Sequence, residues 1–155
     1  MARTGLWLAV GLAGALATPA WAAPEGDCGC RPKTDHAESE LGRHQSSFAG
    51  RVTDVRDEGT ARVVSFEVYR VWKGPREKAL SVKTDAGACG YAFESGKDYL
   101  VYADGEKGSL STDRCAANAE LADSAREVRQ LDLHTGRGAT PLRIPEKPGV
   151  EQAKR

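Results

Sequence analysis

The sequence predicts a mainly β fold: a five-stranded Greek-key barrel, with a short helix before the strands and a longer one after them. Three observations predict it. Five extended segments follow one another between residues 46 and 112. A helical period stands on each side of them. Four cysteines, at 28, 30, 89 and 115, supply covalent staples for a chain whose length allows one domain.

The chain opens on a leader. Arg3 is the positive start, "LWLAVGLAGALA" (Leu6 to Ala17) is the apolar run, and "AWA" at Ala20 to Ala22 is a small–x–small cleavage site. The run is about 12 residues, whereas a membrane span needs about 20. Residues 1–22 therefore read as a signal peptide cleaved after Ala22, and the protein as secreted or periplasmic. A retained anchor is the weaker reading. No second stretch is long enough to cross a membrane.

An even number of cysteines in an exported chain argues for disulfides. Cys28 and Cys30 are separated by one residue, too close for a relaxed bond to each other. Each is then tied to one of Cys89 and Cys115, in one of two arrangements. Either closes loops of about 60 to 85 residues, worth roughly 4 kcal/mol in the chain-entropy model. The N-terminal arm is thereby stapled to two separate parts of the domain. The rival is a copper or zinc site built from Cys-x-Cys with His36 or His44. The spacing is not that of a zinc knuckle, and an oxidising compartment favours disulfides.

"TDHAESELGR" (Thr34 to Arg43) reads as a short helix, with Asp35 and Glu38 at capping-box spacing and Gly42 as its stop. "SSFAGRVTDV" (Ser46 to Val55) places Phe48, Gly50 and Val52 on one face. "RVVSFEVYRVW" (Arg62 to Trp72) alternates Val64, Phe66 and Val68 against Ser65, Glu67 and Tyr69, until "KGP" at Lys73 to Pro75 breaks it. "ALSVKT" (Ala79 to Thr84) is a short strand. "DYLVYA" (Asp98 to Ala103) is β by composition. "GSLST" (Gly108 to Thr112) is expected to form a hairpin with it across "DGEKG". The period then changes: "NAELADSAREVRQLDL" puts Leu121, Ala125, Val128 and Leu131 on one helical stripe expected to pack on the sheet, with Asn118 as N-cap. This count of elements suits the oligonucleotide/oligosaccharide-binding barrel, the OB-fold. Residues 134–155 carry three prolines, three glycines and little periodicity, and are expected to be a disordered tail following the domain at 23–133.

Composition narrows the function. Lys plus Arg and Asp plus Glu both number 22, so no strong field draws nucleic acid or an anionic membrane. Little aromatic surface is evident for stacking bases. No G-x-S-x-G elbow, H-E-x-x-H or P-loop is present. The three histidines, 36, 44 and 134, form no recognisable constellation, and oxidised cysteines offer no thiolate nucleophile. The sequence gives no enzyme and implies no cofactor.

Seven pieces carry a family resemblance: "CGCRP" at 28–32, "FAG" at 48–50, "VWKG" at 71–74, "ACGYAF" at 88–93, "GKDYLVYA" at 96–103, "STDRC" at 111–115 and "ELADSAREVRQL" at 120–131. In this order, over Cys28 to about Leu133, they resemble the tissue inhibitors of metalloproteinases (TIMPs) and the wider netrin-like (NTR) modules. The resemblance implies a five-stranded barrel with Cys28 bonded to Cys89 and Cys30 to Cys115. It implies a partner, a secreted zinc metallopeptidase, met by a ridge of Cys28, Gly29, Cys30, Arg31 and Pro32 beside Gly87, Ala88 and Cys89. In such inhibitors the mature chain starts at the first cysteine. Its free amine and its carbonyl oxygen chelate the catalytic zinc, and the next side chain enters the specificity pocket.

Three departures qualify what the resemblance implies. The expected cleavage leaves Ala23 to Asp27 ahead of Cys28, whose nitrogen is then an amide and a poor zinc ligand. Chelation would require trimming after Asp27. The pocket-filling position is Gly29, with no side chain to bury; adding Thr or Ser there is expected to add contact. The family's third disulfide and C-terminal domain have no counterpart. The alternative is an envelope or wall-associated structural module that binds glycan without inhibiting anything.

Overall fold

The computed structural model describes residues 28–34 and 36–136. The expected leader, residues 23–27, the cap at Asp35 and residues 137–155 of the expected tail lie outside the described residues; His134, expected to open that tail, instead ends a helix. The chain within them is mainly β, with one six-stranded curled sheet, two α-helices and two disulfides.

Helix α1 is Ala37–Arg43. It buries Ala37, Glu40 and Leu41, the i, i+3, i+4 stripe of one helical face. Gly42 lies within the helix and does not stop it; the chain turns extended at His44. Strands β1 (Ser46–Glu58) and β2 (Ala61–Lys73) form a long antiparallel hairpin, both longer than the alternation alone marks. Three register shifts interrupt their pairing, between Ser47 and Phe48, Ala49 and Gly50, and Val52 and Asp54. Such irregularities bend a strand and sharpen its twist, which is how the sheet curls. Gly50 belongs to this bend: a Cβ there would meet the Glu67 carbonyl oxygen at 2.5 Å.

Strand β3 (Ala79–Asp85) pairs with β2, and β4 (Asp98–Ala103) with the first half of β1. Strand β5 is only Leu110–Ser111. It does not make the expected hairpin with β4. It runs parallel to β3, Val82 opposite Leu110, and touches the end of β4 through one bridge, Asp104 to Ser111. The reason is local bonding. Thr112 donates its N–H to the Lys83 carbonyl at 2.8 Å and its hydroxyl to the Tyr102 carbonyl at 2.6 Å, so this segment is held between β3 and β4. The order across the sheet is β5-β3-β2-β1-β4, followed by a sixth strand, β6 (Ala119–Glu120).

The sixth strand was not expected. Ala119–Glu120 forms β6 on the edge of β4, Leu121–Asp123 is one 3-10 turn, and helix α2 proper is Ala125–His134. Asn118 is no N-cap. Its side-chain oxygen accepts from the buried Tyr102 N–H at 2.8 Å, and its amide nitrogen donates to Thr112 Oγ1 at 2.8 Å. Tertiary bonds to neighbouring strands outweigh the helical period there.

Two apolar clusters share the sheet. Phe48, Val52, Val64, Phe66, Val82 and Tyr99 pack inside the curl. Ala49, Leu100, Tyr102 and Trp72 pack on the outside with Leu41 of α1 and Leu121, Val128 and Leu131 of the C-terminal segment. Tyr99 to Ala103 is buried at every position for this reason: alternate residues face the interior and the helices. The expected stripe does pack on the sheet, with Ala125 only half-buried. The Asp132 carboxylate fixes its seat, accepting from Trp72 Nε1 at 2.8 Å and from Arg70 at 2.6 Å.

Candidate functional site

The arm, residues 28–34, carries almost no buried apolar surface. Gly29, Cys30, Arg31, Pro32 and Lys33 are all exposed. Covalent and polar bonds hold it in place. Cys28 is bonded to Cys89 and Cys30 to Cys115, with Cα separations of 5.5 and 5.0 Å. All four cysteines are therefore occupied and none is left as a thiolate ligand. Among the described residues no group of three His, Cys, Asp or Glu side chains could hold a metal ion.

The Cys28–Cys89 bond sets the arm beside the exposed Gly87 and Ala88, so the two stretches the resemblance singles out lie together. The Gly87 loop has its own supports. Gly87 N–H donates to Asp85 Oδ1 at 2.6 Å, and Gly90 N–H to the Gly87 carbonyl at 3.1 Å. Arg114 donates from its backbone to the Cys89 carbonyl and from its guanidinium to the Ala88 carbonyl, both at 3.0 Å.

The polar fastening of the arm was not legible beforehand. Glu40 is the centre of it. Its Oε1 accepts from the Thr34 N–H at 2.9 Å, the Thr34 hydroxyl at 2.7 Å and Arg43 Nη1 at 3.2 Å. Arg43 also donates to the Pro32 carbonyl at 3.1 Å. Burial alone would raise the Glu40 carboxyl; the two Thr34 bonds, with Arg43 and His44 nearby, outweigh it and hold the group below its ordinary value. The available signal was a charged residue at a buried position of the α1 stripe.

Beside the arm lies an open cleft of about 460 Å³, lined by Cys28, Cys30, Arg31, Arg43, His44 and Cys115 among others. His44 Nδ1 is 2.9 Å from Asp104 Oδ2, and its ring lies 5.6 Å from that of Tyr102. On the other side, a cleft of about 350 Å³ separates Lys33 and Thr34 from α2. Glu127 borders it and accepts from the Tyr102 hydroxyl at 2.7 Å. Burial raises the Glu127 carboxyl, with Glu40 adding to the effect.

Gly29 corrects one expectation. Its φ is +61°, with open space where a Cβ would stand. A side chain there has room, but Thr is β-branched and resists this left-handed conformation. A Gly29→Thr substitution would therefore bend the arm as well as add contact, while Asn tolerates the conformation better. His36 sits at the start of α1, and His134 Nδ1 is 3.8 Å from Glu38 Oε2; neither belongs to a group of three or more potential metal ligands among the described residues.

Set against known proteins, the chain matches no protein-family model and no curated protein. Among the described residues no helix is long and apolar enough to cross a membrane.

Proposed function

We propose that this chain is an exported, TIMP-like protein-binding module, and that its most concrete role is inhibition of a secreted zinc metallopeptidase. The observation that carries the reading is the ridge. Cys28 to Pro32 and Gly87 to Cys89 stand side by side, exposed except at the half-buried Cys28 and Cys89 whose disulfide joins them, and are tied down by Glu40, Arg43 and Arg114. A ridge already fixed in shape loses little conformational entropy on docking. Gly29, Gly87 and Ala88 give it little side-chain bulk, which suits insertion into a narrow peptide-binding cleft. The reading assigns no catalytic role to any residue and no cofactor to the chain.

Export is part of the same proposal. It draws on the apolar leader and on two disulfides, which an oxidising compartment sustains. The finer architecture is also read here as a five-stranded Greek-key OB-fold with β6 added at its edge. Its support is the parallel β3–β5 pair, and the Asp104–Ser111 bridge that carries the end of β4 back to β5.

The test is a titration of a secreted zinc metallopeptidase. The chain beginning at Ala23 is expected to inhibit weakly or not at all, because the Cys28 nitrogen is an amide. A chain beginning at Cys28 is expected to inhibit more strongly, because a free amine can ligate zinc. If both are inert while folded, the inhibitor reading fails, and retention on cell-wall polymer becomes the measurement to make. Strong inhibition by the longer chain would mean that it binds by a surface away from the zinc.

A further inference from the structure

The two disulfides are not equivalent. Cys30 is the only exposed cysteine of the four; Cys28, Cys89 and Cys115 are half-buried. Cys30 and Cys115 both line the open cleft of about 460 Å³, whereas Cys89 does not. The charges around the Cys30–Cys115 bond are uneven as well. Arg31 follows Cys30, and Arg43 borders the same cleft. Cys115 is paired with an acid instead: Asp113 Oδ1 accepts its N–H at 2.8 Å. Asp104 and Glu40 also border the cleft, but Glu40 is engaged by Thr34 and Arg43, and Asp104 by His44 and the Gln45 N–H.

We propose that the Cys30–Cys115 bond is a redox-sensitive latch on the arm, opened through this cleft by a dithiol reductant while Cys28–Cys89 stays closed. Thiol–disulfide exchange is faster when the leaving sulfur is better stabilised as a thiolate. A reductant thiolate attacks the Cys115 sulfur, the bond to Cys30 breaks, and Cys30 leaves as a thiolate at the solvent surface beside Arg31. The second thiol of the reductant, deprotonated, then attacks its own mixed-disulfide sulfur and Cys115 leaves. The dithiol is oxidised to a disulfide, two electrons pass to the protein, and the two thiol protons balance the two cysteine thiolates. Cys28 borders the cleft too, but its partner Cys89 does not and neither of the two is exposed, so a reductant working through the cleft reaches both sulfurs only at the Cys30–Cys115 bond.

The opened arm is not released. Cys28 remains bonded to Cys89, Pro32 to Arg43 and Thr34 to Glu40. Only the stretch around Gly29 to Arg31 loosens, which is the centre of the ridge. That this weakens partner binding rests on the function proposed above; the order of opening does not.

The experiment treats the folded chain with graded dithiothreitol, traps thiols with iodoacetamide and maps the labels by peptide mass spectrometry. Cys30 and Cys115 are expected to be labelled roughly tenfold sooner than Cys28 and Cys89, with circular dichroism unchanged during that phase. Arg31→Gln is expected to slow the first phase and leave the second alone. Equal rates, the reverse order, no effect of Arg31→Gln, or loss of dichroism in step with the first labels would each overturn the proposal. The mapping needs no partner, so it stands or falls apart from the metallopeptidase titration.

Discussion

The curled sheet and the arm are held by different physics. The sheet packs around an apolar interior. Phe48, Phe66, Phe93 and Tyr99 form a run of edge-to-face contacts inside the curl, each pair 5.0 to 5.3 Å apart, and all are at most 5% exposed. The arm buries none of its residues, and is fixed by two disulfides and the carboxylate of Glu40. A docking element cannot be buried in its own core and still be presented. The arm gains definition from bonds that leave its surface free, which is what a preformed binding ridge requires.

The contrast can be broken most severely from the sheet side. Phe66 is 1% exposed and touches both Phe48 and Phe93 edge-on. Phe66→Ala is expected to cost about 3–5 kcal/mol, read as a lowered urea midpoint in equilibrium denaturation. A loss no larger than that of an arm variant would mean the curled sheet is not the stabilising part.

On the arm side, Glu40→Gln removes the charge from the acceptor that takes both Thr34 bonds. The expected cost is about 1–2 kcal/mol at neutral pH. The pH dependence follows from the lowered Glu40 carboxyl. A depressed folded value means its stabilisation is fully present above the ordinary carboxylate range and is lost as pH falls through the folded value. The gap between wild type and Glu40→Gln should therefore be widest near neutrality and close in acid. A gap independent of pH would contradict the assignment.

The smallest effect is expected outside both regions. Ending the chain at Gly136 should change stability by about 0.5 kcal/mol or less, because the residues beyond carry no periodic apolar face. A melting temperature several degrees lower would show that they pack on the domain.

The same contrast explains what could be read in the sequence. Alternation located β2, since Val64 and Phe66 face the interior while Ser65 and Glu67 do not, and β composition located β4. The β5 pairing was hidden because parallel partners far apart in sequence leave no turn signal. The start of α2 was misjudged because Asn118 fits a cap by residue type, yet its bonds run to Tyr102 and Thr112. Of the candidate site, the cysteines and the exposed arm were legible from their spacing. The roles of Glu40, Arg43 and Arg114 were not, since nothing in a charged residue's neighbours says which backbone carbonyl or N–H it will reach.

The central claim is that an arm with no buried residues of its own is nonetheless as rigid as the curled sheet. Backbone 15N relaxation on the folded, oxidised chain tests it directly. The account predicts order parameters of about 0.85 for the amides of Gly29, Cys30 and Arg31, the value of rigid backbone, equal to those of Phe48 and Val64. Values below about 0.6 at the arm, with the sheet amides unchanged, would contradict it.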